Sequence, residues 1–217
     1  MKQDPRKTVI GQEPPAVAES LTKLEEKYLL EFLEPRKRDR ILDIGTGSGR
    51  LASRVGALGV TIAGVDLSLA ALKRATDQIP REVFDAVLCD LDTDIPFESE
   101  AFDSAFCVRV LKYLSSPLML LAEASRVLRA GGILVLEISN WYSWEHVYYE
   151  LLRRSPWKFF RKGEISEMLR LTGFKLVESR SLHKVPSPLH ALDSAVRRLT
   201  PEQFLSRGII LKAAKKR

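Results

Sequence analysis

Three glycines at alternating positions, Gly45, Gly47 and Gly49, constrain this chain more than any other feature. They follow a short apolar run, Ile41, Leu42 and Ile44, of the kind a central parallel strand needs. Leu51, Ala52, Val55 and Leu58 come next at helical spacing, and Gly59 closes the pattern. Strand, glycine turn and helix together bring a ligand close to bare backbone and a helix N-terminus. A dinucleotide fingerprint of the form GxGxxG needs glycine at position 50, which is Arg50. Asp43, two residues before the first glycine, suits a cationic ligand group and would repel a pyrophosphate.

Strands predicted at 60–65, 84–89, 102–108 and 133–138 alternate with helical patterns. Ser68 is the expected N-cap of the helix carrying Leu69, Leu72 and Ala75. Ser116 and Pro117 open the helix carrying Leu121, Ala124 and Leu128. Such alternation implies right-handed crossovers and a Rossmann-like, doubly wound, mostly parallel α/β sheet. Two further strands, at 174–182 and 208–213, bring the count to seven and are expected as an antiparallel C-terminal hairpin at one edge. Ligands of such sheets bind beyond the carboxyl ends of the strands. Asp43, Asp66 and Asp90 all fall at those ends, in register with the glycines.

The length of 217 residues, with 45% hydrophobic content, predicts one good-sized domain with a small lid. Residues 1–16 read as a flexible arm, 17–33 as an amphipathic helix, and 17–217 as a single domain whose lid is inserted at about 139–162. No apolar run approaches the ~18–20 residues of a membrane span, and the first twenty residues lack a signal-peptide core. Cys89 and Cys107 lie in predicted strands without metal-ligand spacing, so they read as buried thiols of a cytoplasmic protein, with no metal site. The formal charge of +6 is uneven. Residues 1–150 hold 18 Lys and Arg against 23 Asp and Glu, whereas residues 151–217 hold 16 against 5. The two parts are therefore expected to meet different things, the basic one being either a docking surface or a solvated face.

The D-x-G-x-G-x-G string resembles the class I S-adenosylmethionine (SAM)-dependent methyltransferases. Asp94-Ile95-Pro96-Phe97, Ala101-Phe102-Asp103 and Ser125-Arg126-Val127-Leu128-Arg129-Ala130-Gly131-Gly132 continue the likeness, which covers residues 38–138. It is strongest with the small-molecule branch, the ubiquinone/menaquinone- and biotin-pathway enzymes. It implies SAM as cofactor, S-adenosylhomocysteine as product, and methyl transfer to a small apolar or anionic acceptor. By that resemblance Gly45, Thr46, Gly47 and Gly49 approach the methionine part of SAM, where side chains would collide. Asp43 takes the amino group, Asp66 accepts from both ribose hydroxyls, and Asp90 accepts from the adenine amine beside the Leu91 N–H. Leu67 packs on the adenine face, and Val108 completes the cofactor set. Where many relatives carry histidine, this chain has Tyr113, which is grouped with the acceptor side.

The acceptor side is expected in residues 139–160, rich in aromatic rings. Trp141, Trp144 and Tyr148 are its candidate lining, and Arg153, Arg154, Lys158, Arg161 and Lys162 interleave with the rings. An acceptor pocket, or a lid making peripheral membrane contact, fits an apolar surface with a basic rim. His146 is the candidate general base, needed only for a hydroxyl or acidic-carbon acceptor; His183 and His190 receive no role. Aromatics among cations also suit single-stranded nucleic acid. There is, however, no Pro-Pro-aromatic motif after the fourth strand and no Pro-Cys pair, so DNA methylation is not expected. An RNA or protein methyltransferase docking through the basic part, and a SAM-binding protein without transfer activity, remain the alternatives. Oligomeric state is not legible.

Overall fold

The structure, a computed structural model, describes residues 15–151, 157–182 and 206–217, with side chains described except at 15–20 and Trp144. The arm at 1–14, Arg153, Arg154, His183 and His190 lie outside the described residues.

The chain opens with helix α1 (Pro15–Leu33), then β1 (Arg40–Ile44), α2 (Arg50–Gly56), β2 (Thr61–Asp66), α3 (Leu69–Gln78) and β3 (Phe84–Leu88). It continues through β4 (Phe102–Cys107), a 3-10 turn at Leu111–Tyr113, α4 (Pro117–Val127) and β5 (Leu128–Ser139). Helices α5 (Trp144–Leu151) and α6 (Lys162–Leu171) precede β6 (Phe174–Leu182) and β7 (Gly208–Lys215). The seven strands form one sheet in the order β3-β2-β1-β4-β5-β7-β6. β1 to β5 pair in parallel, and β7 runs antiparallel to both neighbours. The doubly wound expectation and its C-terminal hairpin are therefore present. β7, the last strand in sequence, is inserted between β5 and β6, so β6 forms the edge.

Burial explains why the strands sit where they do. Ile41, Leu42 and Ile44 are all buried, as a strand covered on both faces requires. One core contains Leu29 and Phe32 of α1, Val55 of α2 and Ala75 of α3. A second contains Leu121 and Ala124 of α4 and Ile165 and Leu169 of α6. Ser68 caps α3 as expected, accepting from the Ala71 N–H at 3.3 Å. Ser116 occupies the N-cap of α4 but makes no side-chain cap bond. Its backbone N–H donates to the Asp92 carboxylate at 3.3 Å. β5 begins at Leu128, directly after α4, and runs through Gly131 and Gly132 rather than starting beyond them. A register shift against β4 between Phe102 and Ser104 accommodates the early start.

The insertion after β5 is pinned at its base. Asn140 bridges to Phe160, the Trp141 N–H donates to the Phe160 carbonyl at 2.9 Å, and the buried Asn140 amide donates to Ser206. Among the described residues no helix is long and apolar enough to cross a membrane. Cys89 and Cys107 are buried free thiols, and burial pushes the Cys107 thiol well up.

Candidate functional site

The loop between β1 and α2 uses its glycines differently. Gly45 (φ 78) lies against Val110, whose Cγ2 is 2.1 Å from where a Cβ would stand. Gly49 (φ 80) caps α2, and a Cβ there would meet Ala75 of α3 and Ile79 just beyond it. Gly47 (φ 56) has nothing within 4 Å of a Cβ position, so its bare backbone faces open space. Gly45 and Gly49 are therefore demanded by packing, and Gly47 leaves the cradle open.

Carboxylates stand at three strand ends, Asp43 and Asp66 beside the cradle and Asp90 after β3. Asp43 is buried, and its Oδ2, like the Thr46 hydroxyl, has no hydrogen-bond partner. Burial pushes the Asp43 carboxyl up to about 7; the nearby Thr46 hydroxyl opposes the rise and Asp66 adds to it. Asp66 is held by the loop itself, its Oδ2 accepting from the Gly47 N–H at 2.9 Å and its Oδ1 from the Ser68 N–H at 2.8 Å. Each oxygen keeps a lone pair for a ligand donor. Asp90, after β3, accepts from the Asp92 N–H at 3.1 Å. Leu91 and Val108 are buried, and Leu67 is exposed beside Asp66.

A family model described as a methyltransferase domain matches residues 42–136. The chain belongs to the class I SAM-dependent methyltransferases. SAM is the cofactor of that family. An uncharacterised protein of Methanocaldococcus jannaschii is 30% identical over 148 residues, covering 65% of this chain and 67% of that protein. A demethylmenaquinone methyltransferase of Tropheryma whipplei is 31% identical over 118 residues, 54% of this chain and 48% of the enzyme. The chain spans about half the length of several curated relatives it matches, at 44%, 48% and 47%. A solved SAM-dependent methyltransferase of Mesorhizobium loti superposes with a TM-score of 0.70 at 17% identity, over 92% of this chain and all of that one. That likeness is one of fold.

The unpartnered Asp43 oxygen and the open cradle at Gly47 fit a ligand that carries a cationic amine on a compact chain, as SAM does. The residues present therefore suit the family's cofactor.

Trp141, His146, Tyr148 and Tyr113, expected on the acceptor side, belong to one cluster of rings joined through Tyr149, Trp157 and Phe159. His146 is packed between Trp141 (ring centroids 4.0 Å) and Phe159 (4.8 Å), and its Nε2 lies 3.7 Å from Glu150. Arg161 stacks over Trp141 at 4.4 Å. Tyr148 is 59% exposed and meets Tyr149. Tyr113 packs edge-on to Trp157. The Trp144 side chain lies outside the described residues.

A cavity lies elsewhere, between α1 and the carboxyl ends of β4 and β5. Glu25, Arg109, Lys112, Glu137, Arg207 and Gly208 line it, whereas Tyr113, Trp141, His146 and Tyr148 do not. Glu25, buried on α1, accepts from Arg109 at 2.7 Å and from Arg50 at 3.2 Å. Arg109 takes a left-handed backbone (φ 63), and its N–H donates to Glu137 Oε2 at 2.7 Å. None of these residues was singled out in the sequence. One signal was available: Glu137 breaks the otherwise apolar run Ile133–Ile138 of a central strand.

Proposed function

We propose that the protein binds SAM in the glycine cradle and transfers its methyl group to a small acceptor. The observation that carries this reading is the buried, unpartnered Asp43 carboxylate beside the open backbone of Gly47. In this reading Asp43 and Thr46 take the amino group and Asp66 takes the ribose diol. Asp90 and Leu91 take the adenine edge, with Leu67 and Val108 against its faces, and residues 139–162 serve as the lid of a single domain. SAM supplies an already activated methyl group on a sulfonium. The chain has only to orient the acceptor for in-line attack and exclude water. The small-molecule relatives favour a small acceptor over RNA or protein.

Calorimetry tests the assignment: SAM and S-adenosylhomocysteine bind and NAD does not. Asp66→Ala leaves two hydroxyls without a charged acceptor, a loss of ~1.5–3 kcal/mol, or roughly tenfold to a hundredfold in affinity. Thermal stability also responds, because the Gly47 and Ser68 N–H groups lose their partner. SAM affinity unchanged within about twofold would move the ribose site elsewhere.

Asp43 gives the affinity a pH dependence. Below about 7 the free protein holds Asp43 protonated, and a neutral carboxyl attracts an ammonium weakly. SAM affinity therefore rises as pH passes through about 7, until the ligand amine itself loses its proton near pH ~8. The stability of the ligand-free protein runs the other way. Because the folded-state value exceeds that of the unfolded chain (~3.9), the Asp43 contribution is present below pH ~4 and lost as pH rises to about 7. Asp43→Asn removes both slopes, read by titration calorimetry and melting between pH ~4 and ~8.

A further inference from the structure

The cavity under α1 has features that a mere packing defect does not explain. It adjoins the cofactor loop through one turn: Val110 covers Gly45, while Arg109 and Lys112, on either side of it, line the cavity. Glu137 enters it from β5. The residue is buried at 8% exposure, and of its carboxylate oxygens only Oε2 is bonded among the described residues, to the Arg109 N–H. No described residue donates to Oε1. Gly208 on β7 leaves the room that this oxygen occupies, for a Cβ there would stand 2.7 Å from it. The Arg109 N–H is aimed at Glu137 by a left-handed backbone (φ 63) that a residue with a side chain rarely adopts. A strained residue that holds one carboxylate oxygen and leaves the other open is a preorganised acceptor of protons or hydrogen bonds.

Lys112 supplies the second half. Its ammonium lies over the rings of Tyr113 (5.2 Å) and Trp157 (4.8 Å) and makes no ion pair among the described residues. The other cations around the cavity are engaged: Arg109 with Glu25 and Arg207 with Glu145 (2.8 Å). A cavity lined by both an ammonium without an ion pair and a carboxylate with an open oxygen matches a small molecule with an anionic group at one end and a hydroxyl at the other.

Resting on the methyltransferase reading, we propose that this cavity is the acceptor site for a small hydroxylated anion, with Lys112 holding the anionic group and Glu137 acting as general base. Glu137 takes the hydroxyl proton as the acceptor oxygen bonds to the methyl carbon. The carbon–sulfur bond opens with its electron pair remaining on sulfur, and the proton then leaves Glu137 for solvent. Burial, followed by the nearby Glu25, pushes the Glu137 carboxyl up, and Lys112 and Arg109 oppose the rise. A more basic carboxylate is the better partner for a weakly acidic hydroxyl. The groups facing Glu137 are Glu25 of α1, Arg109 and Lys112 after β4, Glu145 of α5 and Arg207 before β7.

The isomeric hydroxybenzoates, their methyl esters and the matching aminobenzoates are the probes. NMR titration of the cofactor-free protein shows a hydroxybenzoate binding at least about tenfold more tightly than its ester, and Lys112→Met abolishes that preference. With labelled SAM, methylation falls on the hydroxyl. Glu137→Gln, which keeps an acceptor for the Arg109 N–H, leaves SAM affinity within about twofold. It lowers kcat by at least about a hundredfold and removes the acid limb of the pH–rate profile. Three results overturn the proposal: acid and ester binding alike, transfer to the amines alone or to no hydroxybenzoate while SAM binds, or Glu137→Gln keeping its kcat. Failure of the unsubstituted protein to bind SAM instead removes the methyltransferase reading beneath it.

Discussion

Glu25→Ala lowers the stability of the protein by about 3 kcal/mol, the lower end of the cost of breaking a buried ion pair. The carboxylate is 4% exposed and bridges two cations, Arg109 and Arg50. Removing it leaves both guanidinium groups without their anion, and α1 loses its polar anchor to the turn after β4 and to the start of α2. The arginines are 37% and 40% exposed, so water recovers part of the loss, which is why the lower figure applies. For a chain of this size the melting temperature falls by roughly 6–12 °C. A double-mutant cycle with Arg109→Ala isolates the pair, and the double variant loses less than the two single losses together. A melting temperature within about 2 °C of the parent for Glu25→Ala would falsify the structural role given to the bridge.

Gly45→Ala is expected to cost about 2–4 kcal/mol from two separable sources. A left-handed backbone (φ 78) penalises any Cβ by roughly 1–2 kcal/mol. The rest is overpacking, because the new methyl would stand 2.1 Å from Val110 Cγ2 and one of the two must move. Val110→Ala deletes both methyls and leaves only its Cβ, 3.2 Å from the new one, so in the double variant the worst overlap is gone and part of the loss is recovered. Gly47→Ala meets nothing within 4 Å and carries the strain alone, although its methyl projects into the cradle. The two glycines should thus separate by assay, Gly45→Ala acting mainly on melting temperature and Gly47→Ala mainly on SAM affinity. Equal stability losses at the two positions would mean that Val110 yields freely and that packing does not explain Gly45.

Much of the fold was legible because its signals are local. The alternation of apolar runs with helical patterns reports burial on both sheet faces, and the Asp at each strand end is a matter of counting along the chain. Ser116 takes the N-cap position of α4 as read, with Pro117 in the first turn, although its side chain makes no cap bond. One local signal misled. The glycine pair Gly131-Gly132 had the chemistry of a break, but pairing with β4 carried the strand through it.

The polar cavity under α1 was harder to read, and the reason is physical. Aromatic density at 141–160 marks a cluster whose rings pack on one another, with His146 between Trp141 and Phe159. It does not say which way that cluster faces. The polar cavity is assembled from Glu25, Arg109, Glu137 and Gly208, residues from one helix, one turn and two strands, with no spacing to betray them.

The order of residues along the chain determined the doubly wound sheet, the glycine cradle and the three carboxylates at the strand ends, because each depends on a periodicity or turn within a few residues. Only the tertiary structure decided that β7 lies inside β6 and that Asp43 keeps an unpartnered oxygen. The same holds for Glu25, which reaches 84 residues along the chain to Arg109. Those outcomes depend on which groups folding brings together out of water. A buried charge is settled by its neighbours in space, and no local pattern records them.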